Sequence, residues 1–121
     1  MAEKLVIMVT HGPDDPELAT IPFVMAVAAL ASEVEAVLGF QADGVRLVAR
    51  GVAEQVAAPS FPPLAKLLAD FRELGGSILV CSPCLQSRGI TAPDDLVDGA
   101  VVVAAARFVA EITSATNALV Y

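Results

Sequence analysis

Cysteine, histidine and positive charge are scarce in this chain of 121 residues, which carries two, one and seven such side chains respectively. Two cysteines are too few for a disulfide framework and read as reactive or buried thiols of a reducing compartment. With His11 they make three nitrogen or sulfur donors where a closed zinc site takes four, so no metal site is expected within one chain. The basic residues Arg46, Arg50, Lys66, Arg72, Arg88 and Arg107 are scattered singly among fourteen acidic ones, for a formal charge of −7. A nucleic-acid surface needs a basic stripe to neutralise phosphates, and none is present. The longest apolar run, Ile21 to Ala31, is interrupted by Pro22 and ends at Ser32 and Glu33, short of the roughly 20 residues of a bilayer span. Met1 to Thr10 holds Glu3 and Lys4 and runs straight into Leu5–Val9, without the ordered parts of a secretory leader, so a cytoplasmic location is expected. Neither a G-x-G-x-x-G nor a G-x-x-x-x-G-K-[ST] pattern occurs, no Ser-His-Asp set assembles, and no cofactor is expected.

What is abundant is aliphatic: the hydrophobic fraction is 56%, much of it Ala and Val. Such a surplus often ends buried between subunits. The length suits one domain, 1–121, with its own core. Leu5–Val9 is a continuous apolar run bounded by Thr10, His11, Gly12 and Pro13, the pattern of a strand buried on both faces. Pro22 fits the first turn of a helix reaching about Leu38 and stopped by Gly39. Val45–Ala49 reads as a second strand, followed by a single turn around Ala53–Val56. Leu64, Leu67, Leu68 and Phe71 recur at helical spacing before Gly75 and Gly76. Ile78–Val80 makes a third strand, Val101–Val103 a fourth, Ala105 to about Ala115 a helix and Ala118–Val120 a last strand. Apolar strands alternating with helices predict an α/β fold on a mainly parallel sheet, whose chemistry gathers at the carboxyl ends of the strands.

The strongest chemical signal stands at one of those ends: Cys81-Ser82-Pro83-Cys84. With Ser82 as helix N-cap and Pro83 at the first helical position, both sulfurs lie near unpaired N–H groups that favour thiolate over thiol. Arg88, one helical turn after Cys84, adds a positive charge or binds an anionic substrate. The three-residue separation also permits a disulfide. Against this stands the plain reading of two inert, buried cysteines. A thioredoxin topology is the rival for a C-x-x-C, but there the motif follows an early strand and the sheet ends in an antiparallel hairpin. If the first and third strands are neighbours, His11 shares a crevice with Cys81 as acid, base or thiolate partner; otherwise it is a surface or capping residue. Asp14, Asp15 and Glu17 would oppose thiolate formation and read as a solvated rim or a helix N-terminal charge set.

The stretch Val80-Cys81-Ser82-Pro83-Cys84-Leu85-Gln86-Ser87-Arg88-Gly89-Ile90 resembles the cysteine loop of DsrE/DsrF-like proteins. Thr10-His11-Gly12-Pro13-Asp14-Asp15-Pro16 and Phe61-Pro62-Pro63-Leu64 are similar to segments of small members of that family. The resemblance implies a three-layer α/β/α sandwich on a five-stranded parallel sheet, assembling as homotrimers or homohexamers. It implies a sulfur-relay protein that exchanges sulfane sulfur with donor and acceptor proteins or small persulfides. In relay members the cysteine eight positions before the Gly of Arg-Gly carries the persulfide, and here that is Cys81. Cys84 departs from those members, which have a small non-cysteine residue there. It leaves open a resolving or protective role, a dithiol–disulfide oxidoreductase, or a non-catalytic oligomeric binding module. The site residues expected are therefore Cys81 and Cys84, with Ser82, Arg88 and His11 contacting substrate.

Overall fold

A computed structural model describes residues 3–121; residues 1 and 2 of the expected domain lie outside the described residues. Five strands, β1 (Lys4–Val9), β2 (Glu35–Phe40), β3 (Ser77–Cys81), β4 (Ala100–Val103) and β5 (Asn117–Val120), form one sheet in the order β4-β3-β2-β1-β5. Every pairing is parallel. The helices are α1 (Pro16–Ala31), α2 (Leu64–Glu73), α3 (Ser82–Gln86) and α4 (Ala105–Thr113), with 3-10 turns at Ala42–Val48 and Ala53–Gln55.

Right-handed crossovers decide the layers. From β1 to β4 the chain steps one way across the sheet, so α1, α2 and the intervening loops share one face. Their side chains bury Ile7, Val9, Leu38, Phe40, Ile78 and Val80. The return from β4 to β5 runs the other way and puts α4 on the opposite face. There Phe108 closes a smaller core with Val6, Met8, Val37, Leu79 and Val103. The α/β/α sandwich on five parallel strands is thus the observed fold.

Three local expectations are corrected. The first helix begins at Pro16 rather than Pro22: Asp15 is its N-cap, accepting from the Leu18 N–H at 3.2 Å, and Pro22 lies inside it. It ends at Ala31, because Glu33 turns into the left-handed region at φ 64° and redirects the chain, so Glu35–Phe40 is strand, not helix tail. Gly39 does not stop a helix; it sits in β2, where a Cβ would lie 2.7 Å from Met8 Sδ and 2.9 Å from the Phe108 ring. Lastly, the apolar cluster Val45–Ala49 is no strand. Val45–Val48 belong to the 3-10 segment Ala42–Val48, with Val45, Leu47 and Val48 buried in the larger core, and Ala49 caps it and makes a lone antiparallel bridge with Leu96.

Candidate functional site

β3 delivers Cys81 to the carboxyl edge of the sheet, and the chain turns directly into α3. The helix cap is Cys81 itself, at φ −65° and ψ 119°, not Ser82. Ser82 and Pro83 fill the first two helical positions, where missing or unpaired N–H groups cost little. Cys84 follows in the same turn. Its Cα is 5.3 Å from that of Cys81, inside the range a disulfide spans, and the two sulfurs are paired. Both cysteines are half-buried, packed against the core yet not sealed within it.

A second segment reaches the sulfurs from across the sheet end. The Ala42 N–H donates to Cys84 Sγ at 3.3 Å. Asp43, the next residue, accepts from Arg88 Nε at 2.8 Å and from Arg46 Nε at 3.3 Å. These guanidinium groups, Arg88 first, hold the Asp43 carboxyl below the ordinary carboxylate value. Arg88 also donates from Nη1 to the Cys84 carbonyl at 3.2 Å and to Ser87 Oγ at 3.1 Å. Arg88, expected to add a positive charge or bind an anionic substrate, spans the cysteine helix and the 42–48 segment and braces one on the other.

That segment is seated by close backbone approaches. The Gln41 N–H donates to the Val9 carbonyl at 3.0 Å. A Cβ on Gly44 would strike the same carbonyl, and one on Gly12 would come within 2.7 Å of the Asp43 carbonyl oxygen. Gly12 and Gly44 thus let the loops after β1 and β2 lie against each other. Nothing in sequence spacing marked Ala42 or Asp43 for the site; Gly12 and Gly44 were the available signal, as glycines at strand ends that permit close approach.

β2 separates β1 from β3, so His11 stands at the sheet's carboxyl end but not in the strand loop adjoining Cys81. It is half-buried, and its Nδ1 lies 3.4 Å from Thr10 Oγ1. Asp15 and Glu17 belong to the α1 N-terminus, as cap and first-turn acid. Ser82 lines a cavity of about 410 Å³ beside the cysteine helix, with Leu85, Gln86, Ile90, Thr91 and Val102. A cavity of about 360 Å³ at the opposite end, near Lys4, Met25 and Asn117, is remote from the sulfurs. Among the described residues no group of three or more His, Cys, Asp or Glu side chains is placed to hold a metal ion, and no helix is long and apolar enough to cross a membrane.

A parallel α/β/α sandwich carrying a vicinal cysteine pair at a strand end defines a class of thiol-bearing α/β proteins. The profile of the DsrE/DsrF-like family matches residues 3–121, and the chain belongs to that family. Membership supports a function of the sulfur-relay kind. Two Methanocaldococcus jannaschii proteins, both named as uncharacterized, are similar in sequence. MJ0760 is 33% identical over 88 residues, covering 73% of this chain; the chain spans only 32% of MJ0760. MJ0989 is 28% identical over 119 residues, covering 98% of this chain and 99% of its own length. Among solved structures, the ychN protein from E. coli superposes with a TM-score of 0.82 at 21% identity over 98% of this chain and 99% of its own. MTH1491 from Methanobacterium thermoautotrophicum, a protein of unknown function, gives 0.73 at 18% identity, again over 98% and 99%. At these identities the structures speak to fold.

Proposed function

We propose that the protein carries sulfane sulfur as a persulfide on Cys81. The observation that supports this most is the place of Cys81: the last residue of an interior parallel strand and the cap of the following helix, half-buried and paired with a second sulfur. Cys81 thiolate attacks the outer sulfur of a donor persulfide, the donor thiolate leaves, and Cys81–SSH remains. An acceptor thiolate then attacks that outer sulfur and restores the Cys81 thiolate. Ser82, at the rim of the adjoining cavity, and His11, at the carboxyl end of β1 two strands from β3, are the polar groups offered to the incoming molecule. Arg88 holds the loop in place through Asp43. Donor and acceptor are thiol proteins or small persulfides of the cytoplasm.

A homo-oligomer, trimer or hexamer, is the assembled form. On the α4 side of the sheet Val101, Val109, Ile112 and Val120 are 48, 59, 39 and 74% exposed. Parallel sheets normally have both faces covered. A second copy would supply the missing cover.

Incubation of the reduced Cys84→Ser variant with polysulfide, followed by peptide mapping, tests the carrier. Added sulfur on Cys81 is the expected result; an adduct that survives Cys81→Ser unchanged sinks the assignment. The paired sulfurs favour one other reading, a dithiol–disulfide oxidoreductase. That reading requires a reversible Cys81–Cys84 bond and turnover with a dithiol reductant, without added sulfur on either cysteine.

A further inference from the structure

In the structure the backbone donor of the site is spent on Cys84, not on the proposed carrier. Ala42 N–H points at Cys84 Sγ, and its segment is fixed on three sides: by Gln41 N–H on Val9 O, by Gly12 against Asp43, and by the Asp43–Arg88 ion pair. A sulfur that accepts a hydrogen bond from a fixed amide is favoured as thiolate. The charged groups on the packed segments are Asp43, Arg46 and Arg88; the carboxylate is engaged by both guanidinium groups and does not stand unpaired against the sulfur. The two sulfurs are paired in the structure, at a Cα separation of 5.3 Å, and the Ala42 contact is made in that paired state.

From this juxtaposition we infer that Cys84 discharges the Cys81 persulfide as hydrosulfide, with Ala42 N–H as its thiolate donor and Asp43 as the residue that positions that donor. The inference rests on the carrier reading above. Cys84 thiolate attacks the inner sulfur of Cys81–S–SH, the Cys81–Cys84 bond forms, and the outer sulfur leaves as HS⁻. The sulfane sulfur is reduced to sulfide while the two cysteine sulfurs are oxidised to a disulfide. One turnover needs no further reagent, and an external dithiol returns both thiols by exchange. Where no acceptor thiol takes the outer sulfur first, the protein releases it as inorganic sulfide, whereas a single-cysteine relay keeps its persulfide.

The test uses the reduced full-length protein with one equivalent of glutathione persulfide, with sulfide trapped by an alkylating bimane and the protein weighed intact. Wild type is expected to release one sulfide per chain above the Cys84→Ser blank and to finish with the Cys81–Cys84 bond. Cys84→Ser, and Cys84→Ala as a second check, should retain the sulfur on Cys81. Asp43→Asn should slow sulfide release about tenfold, the scale of losing one hydrogen bond to a charged group. In a Cys81→Ser background it should also move the alkylation profile of Cys84 to higher pH, with Asp43→Glu restoring part of both. A wild-type persulfide as long-lived as that of Cys84→Ser overturns the discharge step. Asp43→Asn with an unchanged rate and profile overturns the positioning role. Absence of any adduct on Cys81 in both Cys84 variants removes the carrier reading itself, a result distinct from the other two.

Discussion

The Ala42 amide and the Cys84 sulfur, 42 residues apart in sequence, meet at 3.3 Å. Ala42 achieves this at φ 50°, in the left-handed region that an L side chain enters at a cost of roughly 1–2 kcal/mol. Ala42→Gly removes that strain but adds freedom to the unfolded chain. It should stabilise the protein by less than about 1 kcal/mol in urea unfolding, with the pH profile of Cys84 alkylation unmoved.

Gly44 has the opposite requirement. Its Cβ would meet the Val9 carbonyl, a backbone atom that cannot swing away. Gly44→Ala should cost about 1–3 kcal/mol, by analogy with overpacking, and should loosen the Ala42 donor as the segment moves off β1. Urea midpoints report the first effect and Cys84 alkylation rates the second.

Asp43 ties stability to pH. Its folded-state pKa lies below the unfolded value, through Arg88 first and Arg46 second. The stabilisation is therefore full above the unfolded value of about 3.9 and is lost as pH falls through the folded one. The carboxylate is 43% exposed, so the effect is small, within about 1 kcal/mol. The difference in urea midpoint between wild type and Asp43→Asn should be constant from neutral pH to about 5 and vanish as acid protonates Asp43.

Phe23 and Phe40 hold α1 on the sheet, fully buried with ring centroids 5.8 Å apart. Phe23→Ala should cost about 3–5 kcal/mol, measured by chemical denaturation.

The proposed assembly is tested at Val109, the most exposed large apolar side chain on α4. Val109→Lys with Ile112→Lys should lower the native mass to that of a single chain while leaving the far-ultraviolet spectrum intact. An unchanged native mass would exclude this face as the contact.

Strand β3 and its cysteines were legible because their signals are local: an apolar run, then cysteine, serine and proline where a helix can start. The helix over Leu64–Glu73 was legible for the same reason, since its leucines recur at one spacing. The error between Pro16 and Phe40 came from two prolines competing for one helix start. The Asp15–Pro16 pair wins by supplying a capping carboxylate, which Pro22 lacks. The helix end was hidden because Glu33 takes the left-handed turn usually left to glycine. The Ala42–Val48 segment was misread because its apolar residues match a short strand, and only the Gly44 contact with β1 distinguishes the two. The donor to Cys84 could not be read at all, since it is a backbone amide brought in by the order of the strands. Arg88 was legible as a member of the loop, but its commitment to Asp43 depends on that same distant segment.

One layer of the sandwich has an uneven hold. Phe108, in the hollow that Gly39 leaves in β2, is the one buried side chain of α4, and Lys4 pairs with Glu111 at its rim. With so little area fastened, amide hydrogens of α4 should exchange with solvent through a local opening, well before those of β1, β2 and β3. A neighbouring copy resting on Val109 and Ile112 would close that opening, so slow exchange in α4 and a high native mass should appear and disappear together.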